Sequence, residues 1–104
     1  MKNLIIIGAG GMGRCVYCIA ENSIGYGTEF TIKGFLDDNL KALDGFKGYE
    51  PVLSGVTDYQ PEEDDVFVCS IGEVATKVNI CEALKKKGGK FITLVHTNAV
   101  IGKN

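Results

Sequence analysis

The chain has 104 residues, 45% of them hydrophobic and 23% charged, and a formal net charge of −2 at pH 7. This length and balance predict one globular domain, and the slight negative charge argues against nucleic acid or an anionic membrane as a partner. No apolar run approaches the roughly 18 residues that a membrane-spanning helix needs, and the short opening run is unlike a signal peptide, so we expect a cytoplasmic protein.

The first fourteen residues combine a buried strand with a glycine-rich loop. Residues 4–7 are a continuous apolar run, β-branched at three of four positions, which is typical of a strand buried on both faces. Gly8, Gly10 and Gly13 then form G-x-G-x-x-G, and a helix is predicted from Gly11. We expect Gly8 to allow a tight turn, Gly10 to let a phosphate approach, and Gly13 to let helix and strand pack closely. Because the helix start offers free N–H groups and partial positive charge, the stretch predicts a site for a phosphate-bearing nucleotide.

Apolar periodicity predicts two helices that each bury one face. The first is expected to pack on the sheet through Met12, Cys15, Val16, Ile19 and Ser23. The second is expected to bury Val74, Val78, Cys81 and Leu84. It follows a Ser70-x-x-Glu73 spacing that is typical of a capping box, and it ends at Gly88 and Gly89.

Short β-branched and aromatic runs predict five strands. After the first run they fall at residues 30–36, around 52–53, at 66–71 and at 91–95. The alternation of strands with helices predicts right-handed crossovers between parallel strands. We therefore expect an α/β fold, a Rossmann-like parallel sheet with a strand order of about 3-2-1-4-5 and flanking helices.

An acidic pair follows the second strand, at the sheet edge where ligands bind in open α/β folds. Asp37 comes 24 residues after Gly13, close to the spacing at which an acidic residue takes a ribose hydroxyl in dinucleotide-binding folds. The alternative is that Asp37, Asp38 and Asn39 simply form a turn. Both interpretations stay open for Asp37, and the turn is favoured for Asp38.

Two loops are expected to have structural rather than chemical roles. Between residues 39 and 50, four apolar side chains should attach the loop to the domain instead of stacking on a base: Leu40, Leu43, Phe46 and Tyr49. Residues 61–65 include four adjacent carboxylates, which would suit a divalent cation but are more typical of a solvated loop. We therefore expect no metal site there.

The four cysteines are expected to be reduced and structural. Cys15 and Cys18 fall in one predicted helix, Cys69 in a strand and Cys81 in the other helix, positions usually taken by small buried thiols in a reducing compartment. The Cys15-x-x-Cys18 spacing also occurs in zinc and redox sites, but the sequence has no second ligand pair and a single histidine, His96. No metal site is predicted.

Five segments, taken together and in order, carry a family resemblance. They are GAGGMGR at 8–14, GFLDDN at 34–39, PVLSG at 51–55, VFVCSIG at 66–72 and LVHTNAVIG at 94–102. The series resembles a bacterial family of sugar O- and N-acyltransferases, of the sialic-acid O-acetyltransferase and UDP-4-amino-sugar N-acetyltransferase type. In that family a small Rossmann-like N-terminal domain binds the nucleotide sugar. A left-handed β-helix of hexapeptide repeats follows, forms trimers, binds acetyl-CoA and carries the catalytic histidine.

The resemblance implies a division of the chain and a set of partners. Residues 1–97 would be the nucleotide-sugar-binding domain, and residues 98–104 would be the start of a truncated β-helix. The ligand would be a UDP-sugar, with acetyl-CoA as the co-substrate of the missing domain. The parent protein would be a homotrimer, whereas this chain would be a monomer or weak dimer without a catalytic residue of its own.

The resemblance also implies the site residues: Gly8, Gly10, Gly11, Met12, Gly13, Arg14, Asp37, Asp38, Ile71, Gly72 and Glu73. Residues 10–13 would border the diphosphate and sugar, the two aspartates would face the uridine, and residues 71–73 would form the opposite lip. Met12 stands where the family usually has histidine, so either the sugar is held otherwise or the ligand differs. His96 matches the histidine at the entry to the β-helix and is interpreted as structural.

Two other hypotheses remain. The glycine fingerprint and Asp37 alone favour an NAD-binding domain of an oxidoreductase, or a nucleotide-sensing regulator, whereas the missing substrate domain and the Ile101-Gly102 ending oppose it. The third hypothesis is an α/β domain that binds nothing and uses its glycines for packing. No nucleophile–base pair is evident, so we do not expect catalysis by this chain alone.

Overall fold

The central strand of the sheet is the apolar run near the start of the chain. A computed structural model describes residues 1–95, and these contain five strands and two helices. The elements are β1 (Lys2–Ile7), α1 (Gly11–Glu21), β2 (Phe30–Leu36), β3 (Val52–Ser54), β4 (Asp65–Cys69), α2 (Val74–Lys86) and β5 (Lys90–Phe91). All strand pairs are parallel in the order β3-β2-β1-β4-β5, which confirms the predicted fold class and strand order. His96, the predicted boundary at 97 and residues 98–104 lie outside the described part.

The sheet is covered on both faces, and β1 contributes to both cores. Leu4, Ile5, Ile6 and Ile7 are fully buried because side chains of a strand alternate between the faces. Leu4 and Ile6 join the core on the α1 side, and Ile5 and Ile7 join the core on the α2 side. A continuous apolar run is therefore the sequence of a central parallel strand, as expected.

Helix α1 begins at Gly11 as predicted, but only part of its predicted stripe is buried, since Val16 packs against the core and Ser23 is buried. Its buried residues are Gly13, Tyr17 and Ala20, while Met12, Cys15 and Ile19 of the predicted stripe are exposed. Glycine at position 13 brings this face close to the sheet, and residues four and seven positions later then point inward. Tyr17 stacks on Phe35 of β2 with ring centroids 5.6 Å apart. The helix ends at Glu21, before Gly25 and Gly27, the glycines that the sequence predicts as its end.

Two of the thiols lie on the exposed side of α1. Cys15 and Cys18 are exposed, and Cys69 and Cys81 are partly buried, so the expectation of four buried cysteines is wrong for the first pair. All four are free thiols in this structure. Burial raises the pKa of the Cys81 thiol, and the neighbouring Cys69 raises it further.

Helix α2 packs through its C-terminal half only. Leu84 is buried, and Ile80 and Cys81 are partly buried, whereas Val74 is 71% exposed and Val78 51% exposed. The predicted stripe is therefore wrong over the first two turns. The apolar surface that receives the helix, around Phe67, lies beneath its last turns. No helix in the described residues is long and apolar enough to cross a membrane.

The last strand is shorter than predicted because the chain turns away after two residues. The N–H of Ile92 still donates to the carbonyl of Phe67 at 3.0 Å, but by Val95 the backbone carbonyl accepts from Ile24 instead, at 2.8 Å. Strand β4 likewise ends at Cys69, two residues before its predicted end. The other strands lie close to their predicted positions.

The loop between β2 and β3 is attached at two of its four apolar residues. Leu43 and Tyr49 pack against the α1-side core, and the Tyr49 ring meets Tyr17 edge-on at 5.0 Å between centroids. Leu40 is 62% exposed and Phe46 is 48% exposed, so the packing expected of these two is not found. Phe46 instead lies under the guanidinium of Arg14.

The acidic run before β4 ends in a buried ion pair that local sequence did not indicate. Asp65 is the first residue of β4, and its carboxylate is fully buried. It accepts hydrogen bonds from the Tyr59 hydroxyl, the Glu62 N–H and the Lys33 ammonium, which lies 3.2 Å away. Burial alone would raise the pKa of Asp65, but these hydrogen bonds outweigh it and hold the pKa below its ordinary value. The solvated-loop expectation is therefore wrong for Asp65.

We expect Lys33→Met to lower the free energy of unfolding at pH 7 by about 2 kcal/mol, because Asp65 loses its counter-charge but keeps two hydrogen bonds. The pKa of Asp65 is lower in the folded state, so its stabilisation is present above the unfolded pKa of about 4 and is lost as pH falls through the folded pKa. Urea unfolding from pH 7 to pH 3 should show the two proteins converging below about pH 4. Lys2→Met is the matched control, since Lys2 and Asp64 form an exposed pair. A pH-independent difference would contradict the prediction.

Candidate functional site

The predicted site residues come from loops at the carboxyl edge of the sheet. Strand β1 lies between β2 and β4, and the chain leaves it first toward β2 and only later crosses to β4. The loops after β1 and β4 therefore turn to opposite faces of the sheet and leave a crevice between them. This is the topological switch point, the usual ligand position in doubly wound α/β folds.

Gly8 in the loop after β1 and Gly13 in the first turn of α1 have structural roles. Gly8 has a φ of +97°, and its N–H donates to the carbonyl of Leu36 at 2.7 Å, so it makes the tight turn out of the strand. A Cβ added to Gly13 would overlap the Gly8 carbonyl, so only glycine lets the helix pack this closely. A Cβ on Gly10, by contrast, would meet nothing within 4 Å. The phosphate role of Gly10 stays a prediction.

The two helix starts at this edge differ in what satisfies their N–H groups. The α2 start is occupied by the N-cap Glu73, whose carboxylate accepts from the Ala75 N–H at 2.8 Å and the Thr76 N–H at 3.1 Å. A bond from the Thr76 hydroxyl and these two N–H groups lower the pKa of Glu73. At the α1 start the N-cap is Gly10, with no side-chain cap and no acidic residue in the first turn. The N–H groups of α1 are therefore the ones open to an anion.

Ser70 has a role that the sequence analysis missed. It does not form the predicted capping box with Glu73, because α2 begins only at Val74 and Glu73 is itself the cap. The buried Ser70 hydroxyl lies 2.7 Å from the carbonyl of Ile7 and 3.2 Å from that of Gly8. It thereby ties the end of β4 to the glycine loop. A small hydroxyl residue directly after a buried strand was the available signal, but its partner is 63 residues away.

Asp37 braces the glycine loop as well as forming a turn. One carboxylate oxygen accepts from the Asn39 N–H at 2.8 Å, which is the turn interpretation. The other accepts from the Ala9 N–H at 2.8 Å, a contact that the sequence analysis did not foresee. Each carboxylate oxygen can accept a further hydrogen bond, so a ribose hydroxyl is compatible with this geometry.

Asp38 points to a different place from its neighbour. Its carboxylate accepts from the Val56 N–H at 3.0 Å, which attaches the residue to the segment after β3. This contact joins residues 18 positions apart, so it is not a turn contact, and it does not involve the glycine loop. The structure thus brings Asp37, but not the Asp38 carboxylate, into contact with that loop.

Arg14 folds back from the first turn of α1 onto the glycine loop. Its Nη1 lies 3.5 Å from the Ala9 carbonyl, and its guanidinium carbon lies 3.8 Å from the centre of the Phe46 ring. The salt bridges found among residues 1–95 all use lysines, so this guanidinium has no carboxylate partner there. Met12 is 61% exposed on the same helix turn.

The opposite lip is only partly in contact with the loop. Ile71 is half-buried, and a Cβ on Gly8 would lie 3.5 Å from its side chain, so it adjoins the glycine loop. Gly72 is exposed, with nothing within 4 Å of an added Cβ. The Glu73 carboxylate is turned to its own helix. Of the three predicted lip residues, Ile71 is therefore the one placed against the loop.

A cavity of about 240 Å³ lies at the other edge of the sheet. It is lined by Lys2, Ile24, Glu29, Phe30, Val66, Ile92 and Thr93. These residues belong to the amino ends of strands and to the segments beside them, and none is a predicted site residue. Since ligands of doubly wound sheets bind at the carboxyl edge, the crevice beside the glycine loop remains the candidate site.

The sequence is similar to known proteins over the strands and helices that form the carboxyl edge of the sheet. A sequence model of the PglD N-terminal domain family matches residues 3–84, from β1 into α2. The chain is 29% identical over 106 aligned positions to UDP-N-acetylbacillosamine N-acetyltransferase of Bacillus subtilis (strain 168). The alignment includes all of this chain and 47% of that relative, so the chain spans about half of the relative's length.

Proposed function

Because the chain belongs to the PglD N-terminal domain family, we propose that it is the nucleotide-sugar-binding domain of a sugar acetyltransferase. The observation that carries the proposal is the uncapped start of α1 at the switch point, beside the braced glycine loop. Free N–H groups and the positive end of the helix dipole suit the diphosphate of a UDP-sugar. The relative's name, which contains a UDP-linked amino sugar, supports this substrate class.

The residues of this chain bind and orient the ligand. The N–H groups of residues 11–13 donate hydrogen bonds to phosphate oxygens, and the carboxylate of Asp37 accepts a hydrogen bond from a hydroxyl of the nucleoside. Ile71 and Gly72 border the ligand on the β4 side. The exposed Met12 gives a thioether and methyl surface where the resemblance implies histidine, so the sugar receives an apolar contact there.

Acyl transfer belongs to the parent protein. The resemblance implies that residues 1–97 form the binding domain and that a β-helix begins at 98–104. That β-helix would bind acetyl-CoA, carry the catalytic histidine and form the homotrimer. There the acceptor amine or hydroxyl attacks the thioester carbonyl, the histidine takes its proton, and the C–S bond breaks so that coenzyme A leaves as the thiol. The contribution of this chain is to hold the acceptor sugar in place.

The proposal is tested by calorimetric titration of the chain with UDP, a UDP-linked amino sugar and NADH. Binding of the uridine ligands but not of NADH is the expected result. Binding of NADH alone would replace the proposal with the NAD-binding alternative, which the glycine fingerprint and Asp37 also fit. Absence of binding by all three would contradict a nucleotide site in this chain.

We expect Asp37→Ala to weaken UDP binding by about 1–3 kcal/mol, because the variant loses a charged acceptor and frees the Ala9 N–H that it holds. Titration of the variant with UDP measures the loss. Glu63→Ala removes the same charge from an exposed position at the amino edge and should bind as the wild type does. Unchanged binding by Asp37→Ala would leave Asp37 with its turn role alone.

A further inference from the structure

Phe46 is a large aromatic residue that the fold leaves half exposed, yet its position is defined. Leu43 and Tyr49 lie three residues to either side and both pack against the α1-side core. The N–H of Phe46 also donates to the Leu43 carbonyl at 2.9 Å. The ring is therefore held over the first turn of α1 between two attached points, where it meets the guanidinium of Arg14.

The stack leaves the hydrogen-bonding edge of Arg14 available. A ring centre 3.8 Å from the guanidinium carbon takes up one face of the planar group. The N–H donors lie in the plane and at its edge, the geometry that matches phosphate oxygens. Nη1 is beside the Ala9 carbonyl, and Nη2 is 3.8 Å from the position of a Cβ on Gly11. This edge therefore borders the open N–H groups at the α1 start.

Building on the proposed function, we propose that Phe46 is a positioning residue for Arg14, and that Arg14 makes the site prefer a diphosphate to a monophosphate. The start of α1 can receive one phosphate group through its N–H groups. A second phosphate would carry charge that these N–H groups do not contact. The guanidinium of Arg14, which lies beside the N–H groups, is the cation placed to bind it. Holding the side chain in advance lowers the ordering cost that binding would otherwise bring.

The test compares UDP with UMP in four variants. Arg14→Met is expected to weaken UDP binding about tenfold or more, since a charge-assisted pair is lost. Phe46→Leu is expected to weaken it about two- to fivefold, and Phe46→Tyr to restore it, because tyrosine keeps the stacking face. UMP binding should fall by a smaller factor than UDP binding in Arg14→Met and in Phe46→Leu, because UMP lacks the second phosphate that the guanidinium is proposed to hold. Leu40→Ala is the control, as Leu40 is another exposed apolar residue of the same loop.

The ratio of UMP to UDP dissociation constants is the readout that a purely structural role would not change. An equal loss for both nucleotides in Phe46→Leu, or no loss for UDP, would overturn the inference. Titration with inorganic pyrophosphate, which has the two phosphates but no uridine, tests this inference separately from the proposed function. Pyrophosphate binding that depends on Phe46, without UDP binding, would retain the inference and overturn the UDP-sugar proposal. Binding of neither ligand by the wild type would overturn both.

Discussion

Gly10→Val is expected to abolish nucleotide binding while the fold survives. A Cβ on Gly10 meets no protein atom within 4 Å, and the residue has a φ of −76°, which valine adopts readily. The added side chain instead projects into the open space beside the start of α1, where we propose that a phosphate binds. Losing two charge-assisted hydrogen bonds corresponds to a decrease in UDP affinity of about 100-fold or more.

Titration with UDP measures the loss, and urea unfolding of the same variant measures the fold. Undiminished binding would remove the glycine loop from the site. A large loss of stability would contradict the open space that the structure shows around Gly10. The two measurements together separate a binding role from a packing role.

Gly13→Ala is expected to have the opposite effect and to lower the free energy of unfolding by about 3 kcal/mol or more. The new methyl group would overlap the backbone carbonyl of Gly8, which cannot move aside as a flexible side chain would. Helix α1 would have to move away from β1, and the packing of Tyr17 and Ala20 would loosen with it.

Urea unfolding at pH 7 measures this destabilisation, and Gly11→Ala is the matched control. Gly11 lies in the same helix turn, and its added Cβ would come no closer than 3.8 Å to an Arg14 nitrogen. Alanine favours the helix there, so this variant should be as stable as the wild type or slightly more stable. Equal stability of Gly13→Ala and Gly11→Ala would contradict the close approach of helix and strand.

The three glycines of the G-x-G-x-x-G motif have different physical roles. Gly8 and Gly13 are needed by the fold itself, and a domain that bound nothing would still need them. Gly10 is not needed by any contact in the described residues. Packing therefore does not explain this glycine, and the UDP titration of Gly10→Val tests whether a ligand does.

The amino-acid sequence by itself determined the sheet, the glycine loop and the family. Apolar runs, glycine spacing and the alternation of strands with helices are local patterns, so β1, β2, the start of α1 and the strand order were predictable. The family resemblance is confirmed by the match over residues 3–84. Position after a strand also sufficed to bring Asp37 to the carboxyl edge.

Only the tertiary structure decided which side chains meet. The Ala9–Asp37, Lys33–Asp65 and Ser70–Ile7 hydrogen bonds join residues 28, 32 and 63 positions apart. The buried face of α1 also depends on a non-local contact, because the close approach of Gly13 to the Gly8 carbonyl places Tyr17 and Ala20 against the sheet. Periodicity reports how one segment can bury its surface, whereas these contacts depend on how separate segments pack. That is why the bracing of the glycine loop and the stacking of Arg14 on Phe46 could not be read from the chain alone.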